Sequence, residues 1–387
     1  MVFNLNLLSF MPKKILIICS YANSLIHFRG DFIADLLKNG FMVYGAAPDM
    51  SQEIHSKLTE MGAIPLEYQL QRTGMNPFND LKSILELKKI IKAHDIDLVF
   101  PYTIKPVIYG SIAANMSKIP AVSLITGLGF TFTGTSKKAR TLQKITELLY
   151  KVSIRKNKLV IFQNRDDHKL FLERNIIKED NKVDFVSGSG VNLNSYPTRV
   201  NNKTTDKIIF ILVARLIREK GIHLFIEAAS LLKKEFPNAE FHVIGKPDQS
   251  PSAIHLEQLH KLNEQGTIVY HGRQKNVAEF LFNSDIFVLP TFYREGVPRS
   301  ILEALSVGMP IITTDSPGCR ETVVKGENGI LVAPQDLDSL VEAMRFFLEN
   351  PKQIEIKGSK SRELAEQKFD VKIINAKLIS LLSEELK

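Results

Sequence analysis

Asp285-Ile286-Phe287-Val288-Leu289-Pro290, followed shortly by Tyr293-Arg294-Glu295-Gly296-Val297-Pro298-Arg299-Ser300-Ile301-Leu302-Glu303, decides how this chain folds. The first stretch is a short apolar run ended by proline, the pattern of a buried strand. In the second, Pro298 suits a first helical position, and Ile301, Leu302, Ala304 and Leu305 continue at helical spacing. Strand, loop and helix thus follow in order, with Glu295 in the loop and Glu303 on the second helical turn. The free N–H groups of a helix start seat an anion, and Gly296 allows close approach to it. A phosphate seat between two hydroxyl-binding carboxylates is what a nucleotide-sugar needs.

Outward from this unit, strand-like and helix-like runs alternate, the signature of parallel sheets with crossover helices. Strands are expected at Lys13–Ser20, Phe41–Ala47, Asp97–Pro101, Ala121–Ile125, Leu159–Phe162 and Val183–Val186. Helices are expected at Phe28–Asn39 and Lys82–Ala93. A polar stretch rich in Gly and Asn leads up to Asp206, and the pattern then restarts at Lys207. The expected organisation is a first α/β domain over 1–190, a linker over 191–206, and a second α/β domain over 207–387 whose last helix returns to the first. A cleft separates the two, and ligands in such sheets bind beyond the carboxyl ends of the strands.

The 387 residues exceed one ordinary core, and 44% apolar with 24% charged residues is usual for a globular protein. Two cysteines, Cys19 and Cys319, lie far apart, which argues against a disulfide or a zinc site and fits a reducing cytoplasm. No run of about 18 apolar residues is present for a membrane span. Residues 1–10 lack a basic region and cleavage site, so they read as a tail or an over-extended start rather than a signal peptide.

The net charge of +8 is concentrated between Ser136 and Lys158, where eight Lys and Arg face only Glu147. There Leu142, Ile145, Leu148, Leu149 and Val152 recur at helical spacing. Such a basic amphipathic helix either lies on an anionic membrane or packs one face on its domain. No helix-turn-helix or aromatic RNA-binding pattern accompanies it, so nucleic acid is not an expected partner.

Arg215 and Lys220 follow the strand-like run Ile208–Val213, where two cations would neutralise a diphosphate or form a solvated basic loop. Gly245 ends the next strand, either as a turn or as a place where backbone approaches a flat base. Together with His271-Gly272-Arg273, Leu289-Pro290, Glu295-Gly296-Val297-Pro298, Glu303-Ala304 and Gly318-Cys319-Arg320-Glu321, these positions resemble glycosyltransferase family 4. The resemblance runs from about Lys13 onward and is strongest over Arg215–Val332. It implies the GT-B fold, two Rossmann-like domains facing across a cleft, and transfer with retained anomeric configuration. It is similar in particular to a bacterial branch that builds polysaccharides and lipid-linked oligosaccharides.

By position, the resemblance implies that Arg215 and Lys220 hold the donor diphosphate and that Glu303 accepts ribose hydroxyls. Glu295 contacts the donor sugar, and the backbone at Gly296 and Val297 touches phosphate or sugar. Gly245 and Arg273 complete the donor side. On the acceptor side stand His27 and Arg29 of the first strand-to-helix loop, Thr103 and Lys105, and Gly127 with Gly129. Family members often carry a Gly-Gly pair in the first loop and a histidine in the Pro101–Pro106 loop, and this chain has neither. The implied activity moves a sugar, as hexose or N-acetylhexosamine, from a UDP-sugar to a polyprenyl-diphosphate-linked saccharide. No cofactor or metal is required, because the protein supplies the cations. The expected location is the cytoplasm, peripheral at the inner face of the cell membrane through 137–158. The alternatives are a nucleotide-sugar epimerase of the same fold and a non-catalytic membrane-bound scaffold.

Overall fold

The computed structural model describes residues 11–71, 74, 76–132, 137–199, 207–247 and 252–387. In the first half the strands are β1 (Lys14–Ile18), β2 (Met42–Ala47), β3 (Ile64–Glu67), β4 (Leu98–Pro101), β5 (Val122–Ile125), β6 (Leu159–Phe162) and β7 (Val183–Phe185). They pair in parallel in the order β3-β2-β1-β4 and β5-β6-β7. Parallel bridges from Val99 to Ala121 and from Tyr102 to Leu124 join the two runs. In the second half, β8 (Ile209–Val213), β9 (Glu240–Ile244), β10 (Val269–Tyr270), β11 (Ile286–Leu289), β12 (Ile311–Thr314) and β13 (Gly329–Val332) form one parallel sheet. Its order is β10-β9-β8-β11-β12-β13.

Both sheets are covered on two sides, which is why their strands read as continuous apolar runs. Along β1, Ile15 and Ile17 enter one core while Leu16 and Ile18 enter the other. Strand order reverses beside β1 and β4 in the first sheet and beside β8 and β11 in the second. Those two switch points are where ligands bind in doubly wound folds.

The structure corrects several local expectations. Phe28–Asn39 is not one helix: Asn23–His27 and Gly30–Lys38 flank a break at Phe28 and Arg29. The helix expected from Lys82 begins at Pro77, because the Asn76 carboxamide accepts the Phe78 and Asn79 N–H groups. Pro298 is the cap before the helix Arg299–Ser306, not its first residue. Strand β3 is four residues with a proline at an edge position, too short to announce itself by alternation.

The described part of the 191–206 stretch is packed against the second half. Val191 is buried in the second half's core, and its N–H and C=O bond to Phe369 and Val371. The last helix, Val371–Glu384, places Ile374, Leu378, Leu381 and Leu382 in the core of the first half. Among the described residues no helix is long and apolar enough to cross a membrane.

Candidate active site between the two sheets

At the second switch point, two loops are fastened together. Gly221 holds φ +75° and lies so close to Pro290 that a Cβ would fall 2.1 Å from its carbonyl oxygen. The Glu219 carbonyl accepts N–H bonds from Phe292 at 2.9 Å and Tyr293 at 3.0 Å. This fixes the loop after β8 against the loop after β11. Lys220 ion-pairs with Glu295, both side chains being 12% exposed. The Tyr293 ring lies 5.3 Å from the Lys220 ammonium and 5.7 Å from the Arg215 guanidinium. Two cations and one carboxylate are thereby gathered around one aromatic face.

Beside them, no side chain caps the start of Arg299–Ser306, leaving N–H groups for an anion. Arg299 Nε donates to Glu303 Oε1 at 3.1 Å, and Arg299 Nη1 donates to the Gly190 carbonyl at 2.8 Å. Burial raises the Glu303 carboxyl above its ordinary value, against the opposing pull of Arg299 and Tyr196. Glu303 is therefore a buried carboxylate with a cationic partner, not a solvated helix residue. Val297 sends its side chain into the core and keeps only its backbone for a ligand.

Three glycines do something the sequence did not suggest. Gly127 pairs with Glu295 across an antiparallel bridge, and a Cβ on Gly127 would sit 2.3 Å from the Gly296 nitrogen. A Cβ on Gly296 would meet Gln163 Oε1 at 2.0 Å, and one on Gly129 would meet the Tyr293 hydroxyl at 2.6 Å. The close approach these glycines permit is between the two halves of the chain. Gly245 is similar, since Ala214 O would lie 1.9 Å from its Cβ. The chain's own backbone thus requires glycine at the end of β9.

A latch invisible in the sequence completes this seam. Asn164 caps the helix Arg165–Glu173 by accepting the Asp167 N–H at 2.8 Å. Its amide donates to the carbonyls of Glu295 and Gly296, both at 3.3 Å. Asp167, 1% exposed, accepts from Arg294 Nε at 3.0 Å. Burial lifts the Asp167 carboxyl, and Asn164 and Arg294 counter it. Arg320 reaches Asp166 at 2.9 Å across the same seam. The Asn-x-x-Asp spacing signals a helix start, but nothing local tells what else it holds.

On the first half's side, Thr103 follows β4 with φ +68° and ψ +158°, a strained conformation for a β-branched residue. Its hydroxyl lies 3.0 Å from that of Ser20 after β1, at the switch point. Arg29 is 2% exposed, with its guanidinium 5.3 Å from the centre of the Tyr102 ring. Its Nε and Nη1 are buried and meet no hydrogen-bond partner among the described residues. Burial, with repulsion from Arg299, lowers its pKa to about 10. His27 is held below its ordinary value by burial, then by Lys57, Arg273 and Arg299. Arg299 of the second half thus acts on both Arg29 and His27 of the first, and Arg273 acts on His27. The Lys105 ammonium meets Asp80 at 3.3 Å and the Gln71 carbonyl at 2.7 Å.

The basic helix spans Lys137–Ile154 and splits its apolar set. Tyr150 and Ile154 are buried with Thr146 and Ser153, whereas Ile145, Leu148 and Val152 stand 42%, 59% and 61% exposed.

Two family models match the chain: "Glycosyl transferase 4-like" over residues 15–164 and "Glycosyl transferases group 1" over 198–371. Among curated relatives, it is 29% identical to an N,N'-diacetylbacillosaminyl-diphospho-undecaprenol alpha-1,3-N-acetylgalactosaminyltransferase of Campylobacter jejuni, covering 94% of this chain and 96% of that one. It is 28% identical to a UDP-Gal:alpha-D-GlcNAc-diphosphoundecaprenol alpha-1,3-galactosyltransferase of Escherichia coli, covering 68% of this chain and 70% of the relative. The fold is similar to that of Anabaena HepE, solved in complex with UDP and glucose, at TM-score 0.76 and 18% identity over 96% of this chain and 99% of that one.

Proposed function

The chain belongs to glycosyltransferase family 4 and is a glycosyltransferase with the GT-B fold, and we propose that it moves a sugar from a UDP-sugar to a saccharide carried on a polyprenyl diphosphate. In this reading Arg215, Lys220 and the start of Arg299–Ser306 meet the charge that develops on the leaving diphosphate. Glu303 holds the ribose and Glu295 the donor sugar, with the anomeric configuration retained. His27, Arg29 and Thr103 serve the acceptor, and the closed seam at Gly127–Glu295 keeps water from the reacting centre. No metal is needed, because the cations belong to the protein; turnover in the presence of a chelator tests this.

The observation that carries the reading is the grouping of Arg215, Lys220, Glu295, Arg299 and Glu303 at the second switch point, across from the first-half loops that hold His27, Arg29 and Thr103. The acceptor class is supported by the two relatives, both named for diphospho-undecaprenol-linked sugars. Both are named as transferases, which favours transfer over epimerisation. The exposed apolar and basic side of 137–158 supports peripheral binding at the inner face of the cell membrane, where such an acceptor resides.

The test screens UDP-hexoses and UDP-N-acetylhexosamines over a lipid-linked acceptor, scoring UDP release and product. Glu303→Ala is expected to raise donor KM by about 10–100-fold, the loss of a charged hydrogen bond, while Glu295→Ala lowers kcat more than it raises KM. Epimerised donor without transfer, or both variants at parent activity, would sink the reading.

A further inference from the structure

Helix Pro77–Ala93 buries Ser83, Leu87 and Ile91 and turns Phe78, Leu81 and Leu85 outward, at 85%, 53% and 48% exposure. Their spacing puts the three on one stripe of the helix. A phenylalanine and two leucines aligned in water are a surface waiting for a partner. Lys82, Lys88, Lys89 and Lys92 flank them, and Leu85 lines a shallow open depression with Lys88, Lys89, Lys92 and Ala93. The helix's acids are engaged inward: Asp80 pairs with Lys105, and Glu86 accepts the Gln69 N–H at 2.7 Å.

This helix and Lys137–Ile154 flank Ile104–Ser117 in a single layer. Leu87, Ile91, Val107, Ile108, Tyr150 and Ile154 all enter the same core on one face of the first sheet. The outer sides of the two flanking helices therefore look away from that sheet together. Between them Met116 adds another exposed apolar side chain, at 44%. The start of Pro77–Ala93 is tied to the loop after β4 through Lys105, two residues from Thr103. The stripe thus begins beside the acceptor side of the cleft.

We propose that Pro77–Ala93 is a second membrane-binding element: Phe78, Leu81 and Leu85 enter the headgroup region of an anionic bilayer while the four lysines contact lipid phosphates. The inference rests on the membrane reading of 137–158 and extends it to a helix whose sequence carried no such signal. A second copy of the chain fits poorly, since like-charged lysine rows would face each other. Nucleic acid would engage the lysines but leave the apolar stripe in water. With two parallel elements on one face, the bilayer lies along the first half and presents a lipid-linked acceptor at the cleft mouth.

The full chain is floated with vesicles of phosphatidylglycerol and phosphatidylcholine, and with phosphatidylcholine alone. The variants are F78S/L81S/L85S, K88E/K89E/K92E and, on the other helix, K144E/K151E. Each of the first two is expected to weaken partitioning to the anionic vesicles about tenfold or more, with unchanged circular dichroism and unchanged transfer to a short-chain soluble acceptor. Parent-level partitioning in both overturns the proposal. If only K144E/K151E then loses binding, the reading of 137–158 stands and this one falls. No parent binding to anionic vesicles removes both. A dimer that F78S/L81S/L85S converts to monomer, with vesicle binding intact, would assign the stripe to a second copy and overturn the proposal.

Discussion

Arg29 is the residue whose chemistry is most at odds with a purely structural role. Burying a guanidinium with two nitrogens that meet no partner among the described residues, and with Arg299 repelling it, costs free energy. An anion between the two halves would satisfy it, and the diphosphate of the proposed acceptor is such an anion. Arg29→Met is therefore expected to leave the melting temperature unchanged or raised, while acceptor KM rises about tenfold or more. A fall in stability with unchanged acceptor KM would return Arg29 to the core. Glu295 and Glu303 show the same division at the proposed donor site. Both were legible as carboxylates eight positions apart, but Arg299 as the partner of Glu303 was visible only as another basic residue at the next helical turn back. The partners of Lys105, Asp80 and the Gln71 carbonyl, lie 25 and 34 residues away and were likewise not visible in the sequence.

At the scale of elements, the loop Tyr293–Val297 is held from both sides: by Glu219 of its own half, and by Asn164, Asp167 and Gly127 of the other. Its placement depends on a helix start more than a hundred residues upstream in the sequence. Asp167→Asn and Arg294→Gln are expected to lower kcat by pulling Glu295 out of register, and the double variant to be no worse than the poorer single one. The coupling between them should be about 0.5–3 kcal/mol in a thermodynamic cycle, as for contacting residues. Additive effects would show that the two side chains act separately. Most strands and several of the helices were legible because apolar periodicity is local information. The break at Phe28–Arg29 was not, because a helix is interrupted there to turn Arg29 inward. The edge strand β3 was not, because four residues with a proline carry no usable period.

At the scale of the molecule, the last helix crosses back and completes the core of the first half. Burying an apolar side chain contributes about 1.5–3 kcal/mol, so Ile374, Leu378, Leu381 and Leu382 together rival the roughly 5–15 kcal/mol that stabilises a whole domain. A chain ended before Val371 is expected to lose the first half's cooperative unfolding transition and become protease-sensitive there, while the second half keeps its own. Retention of both transitions would show that the returning helix is dispensable. The sequence alone determined two α/β halves with parallel sheets and the cluster of cations and carboxylates after β8 and β11. Only the tertiary structure decided which of these residues meet. It set Gly127 and Gly296 against each other, buried the Arg29 guanidinium, and put the Phe78 stripe in the same helical layer as the basic helix. The physical reason is range: propensity and periodicity act over a few neighbouring residues, whereas these contacts arise from how two finished sheets dock.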